Sequence, residues 1–228
     1  MPRSPQGCQT ALQGFVLACL CLFGLGPAVA APAPAPPGTV LVLGDSLSAG
    51  FGLAPGEGWV DLLAQRLAAA NPAWSVVNAS ISGETTAGGA ARFEAALARH
   101  RPAVVVLELG ANDGLRGLPV EAAQANLAGL IERSQASGAR VLLIGMRMPP
   151  NYGPEYTAAF ADMYAGLAAR YDTAFVPLLL EPIATDRAMF QDDNMHPTAA
   201  AQPILLEHVW PALQPLLGVA PKAAAPAG

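Results

Sequence analysis

The 228-residue chain has little charge and almost no lysine. Charged residues make up 13% of the sequence, Lys222 is its one lysine, and no basic cluster occurs in it. Proteins that bind nucleic acids carry basic patches that neutralise phosphates, so this composition argues against a nucleic-acid partner. With 53% hydrophobic residues, the chain also differs from the highly charged, weakly hydrophobic composition of disordered proteins. The sequence therefore predicts a globular protein of about one domain.

Cysteine is confined to the first 21 residues, inside a segment that has the pattern of a secretion signal. Arg3 precedes an apolar run over residues 15–23, and Ala-Val-Ala at residues 28–30 matches the small-x-small motif of a signal-peptidase site. The run is too short, and too interrupted by glycine and proline, for a good membrane-spanning helix. We therefore expect residues 1–30 to be a signal peptide and the mature protein to be periplasmic or secreted, without a stable membrane span.

Two alternatives to cleavage after Ala30 stay open. One is a retained membrane anchor, and the other is a lipoprotein site at Cys19, which the bulky Leu17 disfavours. Cleavage after Ala30 would remove all three cysteines. The mature protein would then enter an oxidising compartment with no thiol and no disulfide, and thiolate-bound zinc or iron–sulfur clusters would be excluded.

Beyond residue 38, short apolar runs alternate with stretches of helical periodicity, among them residues 59–70 and 86–100. The predicted strands are Thr39–Leu43, Trp74–Asn78, Val104–Leu109, Val141–Ile144 and Ala174–Val176. Such alternation with short connections is typical of a parallel sheet with helices on both faces. The sequence therefore predicts an α/β protein with three α/β/α layers and a five-stranded parallel sheet.

The ends of the chain set the predicted domain boundaries. Residues 31–38 are rich in alanine and proline and are expected to form a linker, and residues 219–228 are expected to form a disordered tail. A single domain over residues 39–218 lies between them. Its last helix is predicted to begin near Pro203, and Pro211 is expected to kink that helix or end it early.

Residues that can carry chemistry follow the predicted strands. Ser46 lies in the turn after the first strand, Gly83 and Asn112 follow the second and third strands, and Asp193 and His196 lie near the C-terminus. In open parallel sheets the ligand crevice lies beyond the carboxyl ends of the strands, so we expect these residues to meet there. These stretches also have purely structural alternatives, namely a helix cap by Asp45 or Ser46, a helix cap by Asp193, and tight turns at Gly83 and Asn112.

Of the three histidines, His196 is the one that lies in a recognisable sequence motif. His100 and His208 lie in predicted helices and are interpreted as surface or packing residues. An Asp three residues before a His brings its carboxylate to the ring Nδ1, which leaves Nε2 free to act as a base. This spacing favours Asp193 as the partner over Asp192, and the two asparagine substitutions would distinguish them.

Together these stretches resemble the four motif blocks of the SGNH (GDSL) hydrolases. The matching residues are Gly44-Asp45-Ser46-Leu47, Gly83, Gly110-Ala111-Asn112-Asp113 and Asp193-Asn194-Met195-His196. The likeness extends over about residues 39–217, and it is greatest to the bacterial arylesterase, acyl-CoA thioesterase I and lysophospholipase group. The resemblance implies a flavodoxin-like sheet, a serine esterase with no metal or other cofactor, and an oxyanion hole formed by the Ser46 N–H, the Gly83 N–H and the Asn112 side chain.

The predicted activity is hydrolysis of carboxylic esters through an acyl-enzyme. Ser46 is expected to be the nucleophile of a Ser-His-Asp triad, with the substrate a small-molecule ester or lipid such as an aryl ester, a lysophospholipid or an acyl thioester. Leu115, Met148 and Tyr152 are expected to border the site and to bind an acyl chain, unless they only pack their loops. A carbohydrate O-deacetylase and a non-catalytic binding module are the alternative functions. The sequence leaves the oligomeric state open.

Overall fold

The computed structural model of the protein describes residues 38–218. The predicted signal peptide, all but the last residue of the predicted linker and the predicted tail lie outside the described residues and stay predictions. Within residues 38–218, no helix combines the length and the hydropathy needed to cross a membrane.

Strands and helices alternate along the described part of the chain. The strands are β1 (Thr39–Gly44), β2 (Ser75–Asn78), β3 (Val104–Glu108), β4 (Arg140–Ile144) and β5 (Ala174–Val176). The helices are α1 (Ser46–Ala49), α2 (Trp59–Ala70), α3 (Thr86–His100), α4 (Ala111–Leu115), α5 (Val120–Ala136), α6 (Pro154–Tyr171) and α7 (Gln202–Leu213). Short 3₁₀ helices lie at Pro150–Tyr152, Glu181–Ile183, Arg187–Met189, Ala199–Ala201 and Gln214–Leu217.

The five strands form one parallel sheet in the order β2-β1-β3-β4-β5. This is the strand order of flavodoxin-like doubly wound sheets. The predicted architecture is confirmed, and the predicted strand boundaries differ from the observed ones by at most one residue at either end.

The pleat of the sheet divides the apolar strand residues between two cores. Successive side chains of a strand point to opposite faces, so Val40 and Val42 pack on one side with α2 and α7, whereas Leu41 and Leu43 pack on the other with α3, α5 and α6. These four side chains are completely buried. Each contributes roughly 1.5–3 kcal/mol on burial, and such packing stabilises a domain that contains no cysteine.

The last helix continues past its internal proline. Pro211 has no N–H to donate within the helix, yet α7 extends two residues further to Leu213. A 3₁₀ helix at Gln214–Leu217 then follows, and it contains Pro215. Pro211 therefore does not end α7, and the chain changes to a 3₁₀ helix at Gln214, within one turn of Pro211.

The reversal of strand order between β1 and β3 determines where a site can form. β1 ends at Gly44, directly before Asp45 and Ser46, and β3 ends at Glu108, shortly before Asn112. Because β1 and β3 are parallel neighbours, the residues that follow both strands lie at the same edge of the sheet. This edge is the topological switch point, where open α/β sheets bind their ligands.

Candidate active site

The structure brings Ser46, His196 and Asp193 into one hydrogen-bonded row. The Ser46 Oγ lies 2.8 Å from the His196 Nε2, although the two residues are 150 positions apart in the chain. The His196 Nδ1 lies 2.7 Å from the Asp193 Oδ2. The His196 side chain is mostly buried and the Asp193 side chain is exposed. A hydroxyl, an imidazole and a carboxylate in this order form a potential nucleophile, base and orienting group.

Asp193 is held by a local turn as well as by the imidazole. Its Oδ1 accepts the backbone N–H groups of Met195 and His196, each at 2.9 Å. The His196 backbone hydrogen bond, followed by the one from the imidazole, lowers the pKa of the Asp193 carboxyl below its usual range. One carboxylate thus serves both the turn and the imidazole. No helix begins at this turn, so Asp193 is not the helix cap of its structural alternative. In the described region, Asp192 accepts hydrogen bonds through its backbone carbonyl, from Arg187 and Asn194, and not through its side chain.

The three predicted oxyanion-hole residues, Ser46, Gly83 and Asn112, line the same cavity as His196. Within residues 38–218, the N–H groups of Ser46 and Gly83 have no hydrogen-bond partner. Gly83 adopts a φ of 80°, a conformation that favours glycine, so it serves the turn as well. The Asn112 amide donates to the Glu84 carbonyl at 3.0 Å and to Asp45 Oδ2 at 3.2 Å. Asn112 must exchange one of these partners before it can donate to a ligand.

Two further contacts join the loops that follow β2 and β3. The Arg116 guanidinium donates to the Gly83 carbonyl at 2.9 Å. The buried Asp113 carboxylate accepts the backbone N–H of Thr86 at 2.8 Å and the Thr86 hydroxyl at 2.6 Å. These bonds fix the Gly83 loop relative to the helix that carries Asn112.

Two adjoining cavities lie at this edge of the sheet. The first, of about 200 Å³, contains Ser46 and His196 and is otherwise lined mainly by apolar side chains. The second, of about 460 Å³, shares several residues with the first, namely Ala111, Leu115, Met146, Leu180 and Met195. A chain attached to the serine could therefore extend from the first cavity into the second.

The three predicted substrate-binding residues differ in their positions. Leu115 lines both cavities, and Met148 lines the second. Tyr152 lines neither of them, and its hydroxyl donates to the Leu115 carbonyl at 3.0 Å. Tyr152 therefore does not border these cavities as predicted, and it holds the Leu115 loop through this hydrogen bond.

A buried carboxyl, which the sequence analysis did not single out, lies behind the serine turn. Glu108 is completely buried, and its Oε2 accepts the Ser48 hydroxyl at 2.7 Å and the Asp45 N–H at 3.3 Å. Its other oxygen has no hydrogen-bond partner in the described region. Burial raises the pKa of the Glu108 carboxyl well above its usual range, so its neutral form is favoured. A glutamate at the end of an otherwise apolar strand is the signal that could have identified it.

Asp45 is a further buried carboxyl of this region. It caps α1 by accepting the Leu47 N–H at 3.1 Å, as the structural alternative for this turn anticipated. Burial is the main cause that raises the pKa of Asp45 to about 6. Within residues 38–218, no group of three or more His, Cys, Asp or Glu side chains is arranged to hold a metal ion.

Comparison with known sequences identifies a family and several relatives. Residues 42–203 match the family model described as the GDSL-like Lipase/Acylhydrolase family. Esterase TesA of Pseudomonas aeruginosa is 54% identical over 179 residues, covering 78% of this chain and 89% of that protein. The arylesterase of Vibrio mimicus is 42% identical, covering 75% and 85% of the two chains. A protein of Escherichia coli K12 named thioesterase 1/protease 1/lysophospholipase L1 is 40% identical, with coverages of 78% and 85%.

A solved structure agrees with this relationship. The crystal structure of TesA superimposes with a TM-score of 0.75 at 53% sequence identity. The match covers 78% of this chain and 99% of the crystallised one. The fold and the sequence therefore lead to the same group of proteins.

The buried Glu108 should make the stability of the protein depend on pH. The pKa of Glu108 in the folded protein is raised above the ordinary value of 4.5. The contribution of the neutral carboxyl to the free energy of unfolding is therefore complete below pH 4.5, and it is lost as pH rises through the folded-state pKa. In Glu108→Gln the amide oxygen still accepts from Ser48 but cannot ionise. We expect the free energy of unfolding of this variant to increase relative to wild type as pH is raised from about 5 to about 9, as measured by urea titration. A difference that stays constant over this range would contradict the prediction.

Proposed function

The chain belongs to the GDSL-like lipase/acylhydrolase family and is an esterase, and we propose that it hydrolyses carboxylic esters through an acyl-enzyme on Ser46. The observation that carries this proposal is the pair of short contacts that link Asp193 to His196 and His196 to Ser46. Such a row lets a weakly acidic hydroxyl become a nucleophile at the moment of attack.

The proposed reaction begins when His196 Nε2 takes the proton of Ser46 as its Oγ attacks the ester carbonyl. The ionised Asp193 holds the imidazole in the required orientation and stabilises its charged form. The oxyanion of the tetrahedral intermediate accepts the N–H groups of Ser46 and Gly83 and one N–H of Asn112. His196 then returns the proton to the leaving alcohol, and water repeats the sequence on the acyl-enzyme.

The lining of the cavities supports an acyl chain as the group that the site selects. The second cavity is bordered mainly by apolar side chains, among them Leu115, Met148 and Leu180, so few polar groups are available for the hydroxyls of a sugar. This lining disfavours a carbohydrate O-deacetylase. The relatives named arylesterase and thioesterase 1/protease 1/lysophospholipase L1 support aryl esters, lysophospholipids and acyl thioesters as substrate classes.

We also propose that the enzyme is exported and acts in the periplasm or outside the cell. The support is the signal-like pattern at residues 1–30, which lie outside the described residues. The 198 residues that would follow the cleavage site contain no cysteine, which suits an oxidising compartment.

Replacement of Ser46 by alanine tests the proposed function directly. We expect Ser46→Ala to lower kcat/KM for a nitrophenyl ester by roughly 10⁴- to 10⁶-fold, because the nucleophile is lost. The thermal unfolding transition should change little, since the hydroxyl contributes little to the core. A fluorophosphonate should label wild type and leave the variant unlabelled. Equal hydrolysis by both proteins would overturn the proposal, and an absence of labelling in wild type would favour a binding module.

The neighbouring aspartates provide a matched pair of variants. Asp193→Asn should reduce kcat/KM by up to about 10⁴-fold, because an amide cannot stabilise the charged imidazole in the same way. Asp192→Asn should leave kcat/KM nearly unchanged, since the recorded bonds of that residue use its backbone carbonyl. Both variants should be assayed with the same nitrophenyl ester. A larger loss in Asp192→Asn would reassign the orienting role.

The acyl-chain proposal predicts a dependence on chain length. For nitrophenyl acetate, butyrate and octanoate, kcat/KM should rise by up to about fourfold per methylene, the equivalent of about 0.8 kcal/mol for each buried CH₂. Leu115→Ala should weaken this dependence, because Leu115 lines both cavities. Leu118→Ala is the matched control, since Leu118 is exposed and lines neither cavity. A flat profile, or a preference for acetate alone, would exclude an acyl groove.

A further inference from the structure

His196 is carried by a small hairpin, here called the histidine hairpin and defined as residues 189–198. An antiparallel bridge pairs Phe190 with Pro197. The Gln191 N–H donates to the His196 carbonyl at 2.8 Å, and the Thr198 N–H donates to the Met189 carbonyl at 2.8 Å. The backbone of His196 is therefore held within its own hairpin, but these bonds do not fix the hairpin relative to Ser46.

The Gln191 side chain connects this hairpin to the nucleophile. Its Nε2 donates to the Pro197 carbonyl at 3.0 Å and to the Phe51 carbonyl at 2.8 Å, so both amide hydrogens have an acceptor. Phe51 belongs to the serine loop, defined here as residues 46–53. Within residues 38–218, the bond from Gln191 to Phe51 and the Ser46–His196 contact are the hydrogen bonds that join the serine loop to the histidine hairpin.

The same link holds an aromatic ring against the imidazole. The ring centroids of Phe51 and His196 are 4.4 Å apart, with the planes inclined by 38°. A cation within about 6 Å of an aromatic ring is attracted to the ring face, and the proposed proton transfer makes His196 cationic. Because Gln191 binds the Phe51 carbonyl, it restrains the segment of backbone from which this ring projects.

The backbone of Gly52 leaves room for the amide of Gln191. Gly52 adopts a φ of 74°, and a Cβ atom at this position would overlap the Gln191 side-chain amide. The serine loop and the Gln191 side chain therefore fit closely against each other, and a single added carbon on the loop would push the amide away.

We propose that Gln191 is a positioning residue of the esterase reaction, because its amide sets the position of the histidine hairpin relative to the serine loop. The proposal rests on the function proposed above. Gln191 lines neither cavity, so it acts through His196 and not by contact with the substrate ester. Proton transfer between His196 Nε2 and Ser46 Oγ depends on their alignment, and a displacement of about 1 Å can cost about 10²-fold in rate.

Replacement of Gln191 by methionine tests this proposal, because methionine keeps the length of the side chain and removes both donors. We expect Gln191→Met to lower kcat by roughly 10- to 100-fold with a smaller change in KM, because Gln191 itself lines neither cavity. The rate of Ser46 labelling by a fluorophosphonate should fall by a similar factor. Gln135→Met is the matched control, since the Gln135 amide also donates to a backbone carbonyl, that of Tyr171, at 2.8 Å. Gln135 lies in a helix outside the catalytic loops.

A purely structural role for Gln191 predicts a different result. In that case Gln191→Met would lower the unfolding temperature and leave kcat of the folded enzyme and the labelling rate at wild-type values, which would overturn the proposal. If Gln191→Met does not fold, Gly52→Ala displaces the same amide from the serine loop. We expect Gly52→Ala to reproduce the loss of kcat. A wild-type kcat in Gly52→Ala would equally overturn the proposal. Wild type and Ser46→Ala are assayed beside these variants. If the proposed function is wrong, wild type shows no hydrolysis that depends on Ser46; if only the role of Gln191 is wrong, wild type shows Ser46-dependent hydrolysis and the Gln191 variant keeps it.

Discussion

The parallel pairing of β1 with β3 is the constraint on which the site depends. Gly44 pairs with Glu108, so both strands end at the same edge of the sheet and their following loops are adjacent. Ser46 and Asn112 therefore line one cavity although 66 residues separate them. A slip of one residue in this pairing would turn every side chain of a strand to the opposite face and would exchange the two cores. The hydrophobic packing that fixes the register thus also fixes the position of Ser46, the proposed nucleophile.

The buried strands explain why the fold could be predicted from the sequence. A strand that is covered on both faces is a continuous apolar run, and β1, β3 and β4 are of this kind, which makes them easy to distinguish from the amphipathic helices around them. The predicted helices at residues 59–70 and 86–100 have the same limits in the structure. The motifs around Ser46, Asp193 and His196 were also visible in the sequence, and the structure joins these three side chains by hydrogen bonds. Their catalytic roles stay predictions.

Features that depend on contacts between distant segments could not be predicted. Glu108 is one charged residue at a strand end, and only the folded arrangement buries it beneath the serine turn. Gln191 is 140 positions from Phe51, so no local pattern indicates their hydrogen bond. Tyr152 was expected at the cavity surface, but its hydroxyl holds the Leu115 loop. In each case the local sequence identifies a polar or aromatic residue, and the tertiary structure decides what it contacts.

The absence of cysteine after residue 21 has a practical consequence when it is combined with the direction of the sheet. Arg140 is exposed at the first residue of β4, and the amino ends of parallel strands lie at the edge opposite the serine. A cysteine placed there by Arg140→Cys would be the single thiol between residues 22 and 228. Covalent coupling to a solid support through this thiol would orient every immobilised molecule with the edge that carries Ser46 facing the solution.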